Sequence, residues 1–334
     1  MWQRGERLRG RGTVRRAALI YNPASGQHAV GPYRAIDEAV AVLRRAGVEA
    51  QAFETEAPGD AAVKARSAVE SGFDTVLACG GDGTVHEVLQ GVVGTDVAVG
   101  VVPLGTANAL AADLGLQGSP ARAVGKLLKA TPQRISVGRM AYTDGDGQQH
   151  ARYFTVTAGV GPDALFIGQL DPKLKRRLGY LLYLIEGFKV WIRYDFPLYE
   201  ALIWESGARE PRRIEVSQLL AVRIGDFGGV LHNLAPGAGL ETDRLRLVAF
   251  KTRKRWHYFR YIMASIFGRP GATEHVELVD AMRVECRRLA GSRTVVQAEA
   301  DGESLGELPV EIEIVPRALT LLVPEREQTV DSGQ

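Results

Sequence analysis

Apolar positions in the first third of the chain alternate between short continuous runs and stretches with helical spacing. Residues 17–21 form an apolar run that ends at the turn Asn22-Pro23-Ala24-Ser25-Gly26. A helical pattern follows, with Ile36, Val40 and Leu43 on one face and Gly47 placed to end it. Residues 48–53 read as a strand. A second helix begins at Asp60, a residue type suited to an N-cap, and stops before Gly72. Strand, helix and strand recur at 75–79, 85–93 and 97–102. Helical signals follow at 107–114 and after Ser119-Pro120, where proline suits the first turn. This alternation predicts an α/β domain with a parallel, doubly wound sheet and right-handed crossovers.

From about Ile135 the texture changes. Runs rich in β-formers at 153–158, 198–204, 214–224, 245–251, 281–286, 294–300 and 310–315 are separated by turn signals, among them Asp144-Gly145-Asp146-Gly147 and Asp301-Gly302. They predict a C-terminal antiparallel sandwich-like or barrel-like domain. A helical pattern at 171–193 interrupts it. The predicted organisation is a disordered basic arm at 1–16, an α/β domain at 17–135 and a β-rich domain from 136 to 318. The cleft between two such domains is the expected binding site.

Composition narrows the function classes. The 334 residues are 46% hydrophobic and 24% charged, an ordinary balance for a globular protein with a substantial core. The net charge of +2 is too small for a general nucleic-acid binder, and two cysteines cannot build a disulfide framework, which suggests a reducing, cytoplasmic setting. The first 16 residues carry Arg4, Arg7, Arg9, Arg11, Arg15 and Arg16 with no apolar run behind them, which is not the pattern of a secretory leader. No stretch approaches the ~20 apolar residues needed to span a bilayer. Glycine is the outlier, with 38 residues. Surplus glycine means tight turns or backbone that must come close to something.

Much of that glycine falls at three predicted strand ends, where a doubly wound sheet binds its ligand. The first is Asn22 to Gly26. The second is Gly80-Gly81-Asp82-Gly83-Thr84, and the third is Pro103-Leu104-Gly105-Thr106-Ala107-Asn108. Glycine lets backbone N–H groups approach an anion, and a following helix N-terminus adds a favourable dipole. An acidic residue such as Asp82 inside a phosphate loop is repulsive unless it meets a metal or sugar hydroxyls, which argues for a nucleotide carrying Mg2+. No lysine follows the glycines as in a Walker loop, and no GxGxxG fingerprint is present.

The ordered set Asn-Pro-x-Ser-Gly, Gly-Gly-Asp-Gly-Thr and Pro-Leu-Gly-Thr-x-Asn resembles the diacylglycerol-kinase catalytic-domain family, which includes bacterial lipid kinases, sphingosine kinases and ceramide kinases. The likeness runs from about Ala17 to about Leu322. It implies an ATP-binding first domain, a β-rich lipid-binding second domain and a final strand, 319–323, that returns to the first. It also implies ATP contacts from Asn22, Ser25, Gly26, Thr55, Gly80, Gly81, Asp82, Gly83, Thr84, Glu87, Gly105, Thr106 and Asn108. His86-Glu87 resembles the sphingosine-kinase version of the second loop.

Asp301-Gly302-Glu303 matches the family's Asp-Gly-Glu motif and makes Asp301 or Glu303 the expected general base, with Asp82 completing the catalytic set. By itself such a triplet is also what a surface hairpin turn carries. Related bacterial kinases have an acidic metal loop, Asp-Asp-Gly, where this chain has Glu241-Thr242-Asp243. Asp243 is therefore a candidate Mg2+ ligand from a shifted position.

Basic residues beside aromatic ones recur at 171–193 and from Lys251 to Ile262, a pattern of interfacial helices. The expected protein is a peripheral kinase using ATP and Mg2+ that transfers the γ-phosphate to a diacylglycerol-like or sphingoid hydroxyl at an anionic membrane surface. Expected partners are lipid and membrane, with no nucleic acid, and a homodimer is left open. The alternatives are an NAD kinase, which shares Gly-Gly-Asp-Gly, and a non-catalytic nucleotide or lipid sensor.

Overall fold

A computed structural model describes residues 14–25, 31–105, 108–162, 194–228 and 234–325. The chain divides into two compact units, residues 1–135 with 318–334 and residues 136–317.

The first unit contains β1 (Arg16–Tyr21), α1 (Pro32–Arg45), β2 (Glu49–Glu54), α2 (Asp60–Glu70), β3 (Thr75–Gly80), α3 (Asp82–Val92), β4 (Ala98–Pro103), α4 (Ala109–Asp113) and α5 (Pro120–Leu127). The strands lie parallel in the order β2-β1-β3-β4, and residues 320–321 add a parallel partner at the β4 edge. β3 and β4 are buried along their whole length, as expected of strands covered on both faces. α1 packs with α5 and α2 with α3, so the crossover helices form two separate layers.

Several element starts differ from the sequence expectation. Gly59, in the left-handed region at φ 84°, is the N-cap of α2. Asp60 is its first residue, and its carboxylate accepts from Glu56 N–H and Lys64 Nζ. α3 begins at Asp82 rather than at Val85, so half of the second glycine loop is already helix. Arg16 opens β1, and the backbone N–H groups of Arg15 and Arg16 donate to the Asp74 carboxylate, so these two arginines belong to the fold.

Two long strands run through the boundaries of the units, β5 (Thr131–Thr143) and β15 (Glu303–Val323). The second unit adds β6 (Gln149–Phe154), β7 (Thr157–Val160), β8 (Tyr199–Trp204), β9 (Arg212–Val216), β10 (Gln218–Val222), β11 (Leu245–Phe250), α6 (Arg255–Ile266), β12 (Val276–Ala281), β13 (Arg283–Arg287) and β14 (Gln297–Ala300). One antiparallel layer runs β12-β11-β10-β7-β14-β15. The later part of β15 pairs with β13, which continues through β8 to β9. β5 and β6 form a hairpin. A core including Phe154, Tyr199, Ile203, Leu219, Leu247 and Ile312 fills this sandwich-like unit, and strict in-out alternation along β8 shows one face turned to it.

The apolar runs at 153–158 and 214–224 each prove to be two strands, broken at Thr155–Val156 and at Ser217. The helical pattern at 171–193 and most of the basic arm lie outside the described residues. Among the described residues no helix is long and apolar enough to cross a membrane.

Candidate active site

The three glycine loops leave the carboxyl ends of β1, β3 and β4, and these strands are direct neighbours. The chain leaves β1 for α1 and β3 for α3, helices of opposite layers. The gap between β1 and β3 is thus the topological switch point, where open α/β sheets take their ligands.

Each loop is braced from within. Asn22 Oδ1 accepts from Ala24 N–H at 2.8 Å while its carbonyl accepts from Ser25 N–H at 3.0 Å, closing the first turn. Thr55, just past β2, is buried and tied by its N–H to Tyr21 O at 2.9 Å. The second and third loops press backbone on backbone. Gly80 O accepts from Leu104 N–H, and a Cβ on Gly105 would lie 2.5 Å from Gly81 Cα and 2.9 Å from Asn108 Oδ1. A Cβ on Gly80 would lie 2.3 Å from Thr84 Oγ1. Gly105 is therefore required by contact between the loops and Gly80 by the Thr84 side chain of its own loop, before any ligand is considered. Asn108, at φ 51°, bonds Gly105 through both ends of its side-chain amide.

Asp82 has a structural partner as well. Its Oδ1 accepts from Ala109 N–H at 2.8 Å and its Oδ2 from Asn108 N–H at 3.1 Å, at the start of α4. The carboxylate meets the donors that a helix start leaves unpaired. An acidic residue in this loop thus has backbone partners that the sequence did not show. Glu87 Oε2 accepts from Ala61 N–H at 3.1 Å and ties α3 to the start of α2. The first turn of α3 holds the N–H groups of Asp82, Gly83 and Thr84, which precede the first intrahelical bond, from Val85 N–H to Gly81 O. Such a turn suits a phosphate oxygen. Gly26 and Thr106 lie outside the described residues.

In the second unit, Asp301 and Glu303 flank the β14–β15 turn. Asp301 is buried, at φ 47°, and accepts three consecutive N–H groups: Thr155 at 2.9 Å on Oδ2, and Val156 at 2.9 Å and Thr157 at 3.0 Å on Oδ1. This capture is why the 153–158 run breaks in two. Both Asp301 oxygens are committed to backbone, whereas Glu303 is half-buried at the first position of β15. Glu299, buried beside them, accepts from Gly302 N–H at 3.0 Å. Sequence reading missed Glu299. Its signal was a charged residue at an inward position between Ala298 and Ala300.

Asp243 is corrected. It accepts from the Ser136 hydroxyl, and Ser136 Oγ accepts in turn from Arg317 N–H at 3.0 Å. Beside it lies Arg223, 0% exposed, whose guanidinium donates to Thr242 Oγ1, Arg244 O and Ser136 O. Burial pushes the Arg223 pKa down to about 10, and the Asp243 and Glu241 carboxylates hold it up against that loss. Asp243 and Glu241 are exposed and feel the charge of the buried Arg223, which disfavours a divalent metal at this loop. Among the described residues no three His, Cys, Asp or Glu side chains gather to hold one. Arg223 was legible only as one of two charges, with Glu215, in the apolar run 214–224.

A model of the diacylglycerol kinase catalytic domain matches residues 16–140, and one described as the YegS C-terminal NAD kinase beta sandwich-like domain matches residues 202–323. Residues 16–140 belong to the diacylglycerol kinase catalytic-domain family. A diacylglycerol kinase of Bacillus subtilis (strain 168) is 28% identical over 323 residues, covering 93% of this chain and 97% of that protein. One from Staphylococcus saprophyticus is 31% identical over 206 residues, 58% of this chain and 64% of its own length. Among solved structures, a Bacillus anthracis str. Sterne protein provisionally named a diacylglycerol kinase aligns with TM-score 0.72 at 19% identity, covering 93% of this chain and 97% of its own. Yeast NADH kinase complexed with NADH aligns with TM-score 0.51 at 10% identity over 95% and 85% of the two chains. These two likenesses concern the fold.

Proposed function

We propose that this kinase-family member transfers the γ-phosphate of ATP to the hydroxyl of a diacylglycerol-like lipid. The observation that carries the reading is the set of three braced loops aligned at the carboxyl ends of β1, β3 and β4, in a chain whose curated relatives are named diacylglycerol kinases. In this reading the first turn of α3 and the Asn22–Ser25 turn bind the phosphates. Asp82 acts through the backbone, holding the third loop in place. Mg2+ bound together with the ATP would supply charge neutralisation there.

The acceptor needs a group to take its proton. Asp301 has both oxygens engaged by N–H groups, which makes it a positioning residue, and Glu303 is the proposed base. The Glu303 carboxylate takes the hydroxyl proton, the lipid oxygen bonds to the γ-phosphorus, and the bond from that phosphorus to the bridging oxygen breaks to release ADP.

The likeness to an NADH kinase keeps a nucleotide acceptor in view. Purified protein, labelled ATP and Mg2+ are incubated with diacylglycerol in detergent micelles, with a sphingoid base, or with NAD, and the products separated. Label in the lipid phosphate supports the proposal. Label in the nucleotide alone, or ATP binding without any transfer, overturns it.

A further inference from the structure

Helix α6 carries two apolar faces, and only one of them is used by the fold. Tyr258, Tyr261 and Ser265 are buried, with Tyr258 stacked on Phe250 at 4.3 Å between centroids and Tyr261 Oη donating to Leu234 O at 2.8 Å. On the remaining surface stand Trp256, Phe259 and Ile262, 64%, 44% and 41% exposed, followed by Phe267 at 72%. Their spacing of three residues keeps the first three on one stripe. The Trp256 and Phe259 rings stack on each other at 5.5 Å, forming a continuous aromatic surface. Among the described residues, seven large hydrophobic side chains are exposed, and four of them are these. Chance exposure scatters such side chains singly, so the clustering is informative.

Charge indicates what covers this face. From Lys251 to Thr273 the chain has six Lys or Arg and no Asp or Glu. Arg253, Lys254, Arg260 and Arg269 are exposed around the apolar stripe. Aromatic and aliphatic side chains ringed by cations match a bilayer interface, with apolar groups at the acyl boundary and basic groups at anionic headgroups.

We infer that the outer face of α6 docks the protein on anionic lipid bilayers, Trp256, Phe259, Ile262 and Phe267 entering the interface while Arg253, Lys254, Arg260 and Arg269 meet the headgroups. The occupant, a membrane, rests on the lipid-kinase reading, since a diacylglycerol-like substrate resides there.

The test uses the full chain in sedimentation with phosphatidylcholine vesicles, with and without phosphatidylglycerol. The wild type is expected to sediment with the anionic vesicles. The double variant Trp256→Ser/Phe259→Ser is expected to bind them about tenfold more weakly or worse. Lys254→Gln/Arg260→Gln is expected to lose about tenfold, and the wild type to lose the same advantage in high salt. All these side chains are exposed, so unchanged melting temperatures check that the fold survives. Detergent-micelle kinase assays on the same proteins separate the two readings. Micellar phosphorylation without vesicle binding overturns the docking face alone. Vesicle binding without phosphorylation of any lipid overturns the kinase alone. Equal binding by the variants, or a wild-type dimer that the aromatic variant splits, overturns the docking face.

Discussion

Replacing Arg223 by Met is the sharpest test of how the second unit is held together. Methionine roughly preserves the volume and removes the charge and every donor. Arg223 is fully buried, and its guanidinium serves two carbonyl oxygens, Ser136 O at 2.9 Å and Arg244 O, together with Thr242 Oγ1 at 3.3 Å. Each orphaned acceptor costs about 1–3 kcal/mol, and the exposed carboxylates of Asp243 and Glu241 lose a nearby cation. Orphaning the two carbonyl oxygens and the hydroxyl together costs about 3–5 kcal/mol. For a unit of this size that lowers the melting temperature by about 10 °C. Urea titration followed by circular dichroism measures the free energy directly. A loss below about 1 kcal/mol would refute the role assigned to Arg223. Metal sharpens the same experiment. Without ATP, the wild type should melt at the same temperature in EDTA and in Mg2+. A Mg2+-dependent rise of several degrees that the variant retains would mean that the acidic loop binds the ion despite the arginine.

Three further outcomes follow from the two sites. Asp301→Asn turns an amide N–H2 toward a backbone donor that the carboxylate accepted, costing about 1–3 kcal/mol, so thermal melts should show a clear loss of stability as well as reduced activity. Glu303→Gln should lower kcat by about 10²–10⁴, and a fully active variant would remove Glu303 as the base. Gly105→Ala drives a methyl into Gly81 Cα and should cost about 1–3 kcal/mol and raise KM for ATP. The matched control, Gly125→Ala within α5, has nothing within 4 Å of the new Cβ and should gain about 0.5–1 kcal/mol in a urea titration.

Much of the nucleotide side was legible in the sequence. Apolar runs such as 75–79 and 97–102 predict strands because a sheet covered on both faces leaves no polar positions. The glycines predict loops because nothing else fits there. The approach of Gly105 to Gly81 was not legible, because such a contact between loops has no local signature. The surroundings of Asp82 and Asp243 were hidden for a related reason. A carboxylate's partner decides its role, and here the partners are the α4 start, 26 residues away from Asp82, and Ser136, 107 residues away from Asp243.

Hydrophobic period and glycine placement act over a few residues, so the sequence alone determined the doubly wound first unit, the β-rich second unit and the order of the three loops. Tertiary structure alone decided which backbone donors the Asp301 carboxylate meets. Asp301 is tied to Thr155 across 146 residues and Arg223 to Ser136 across 87. Such pairings depend on where distant strands meet, and burial turns each of them into a fixed, satisfied group. The same burial divides α6, a uniform mixture of aromatic and basic residues in sequence, into one face spent on the core and one left for a partner.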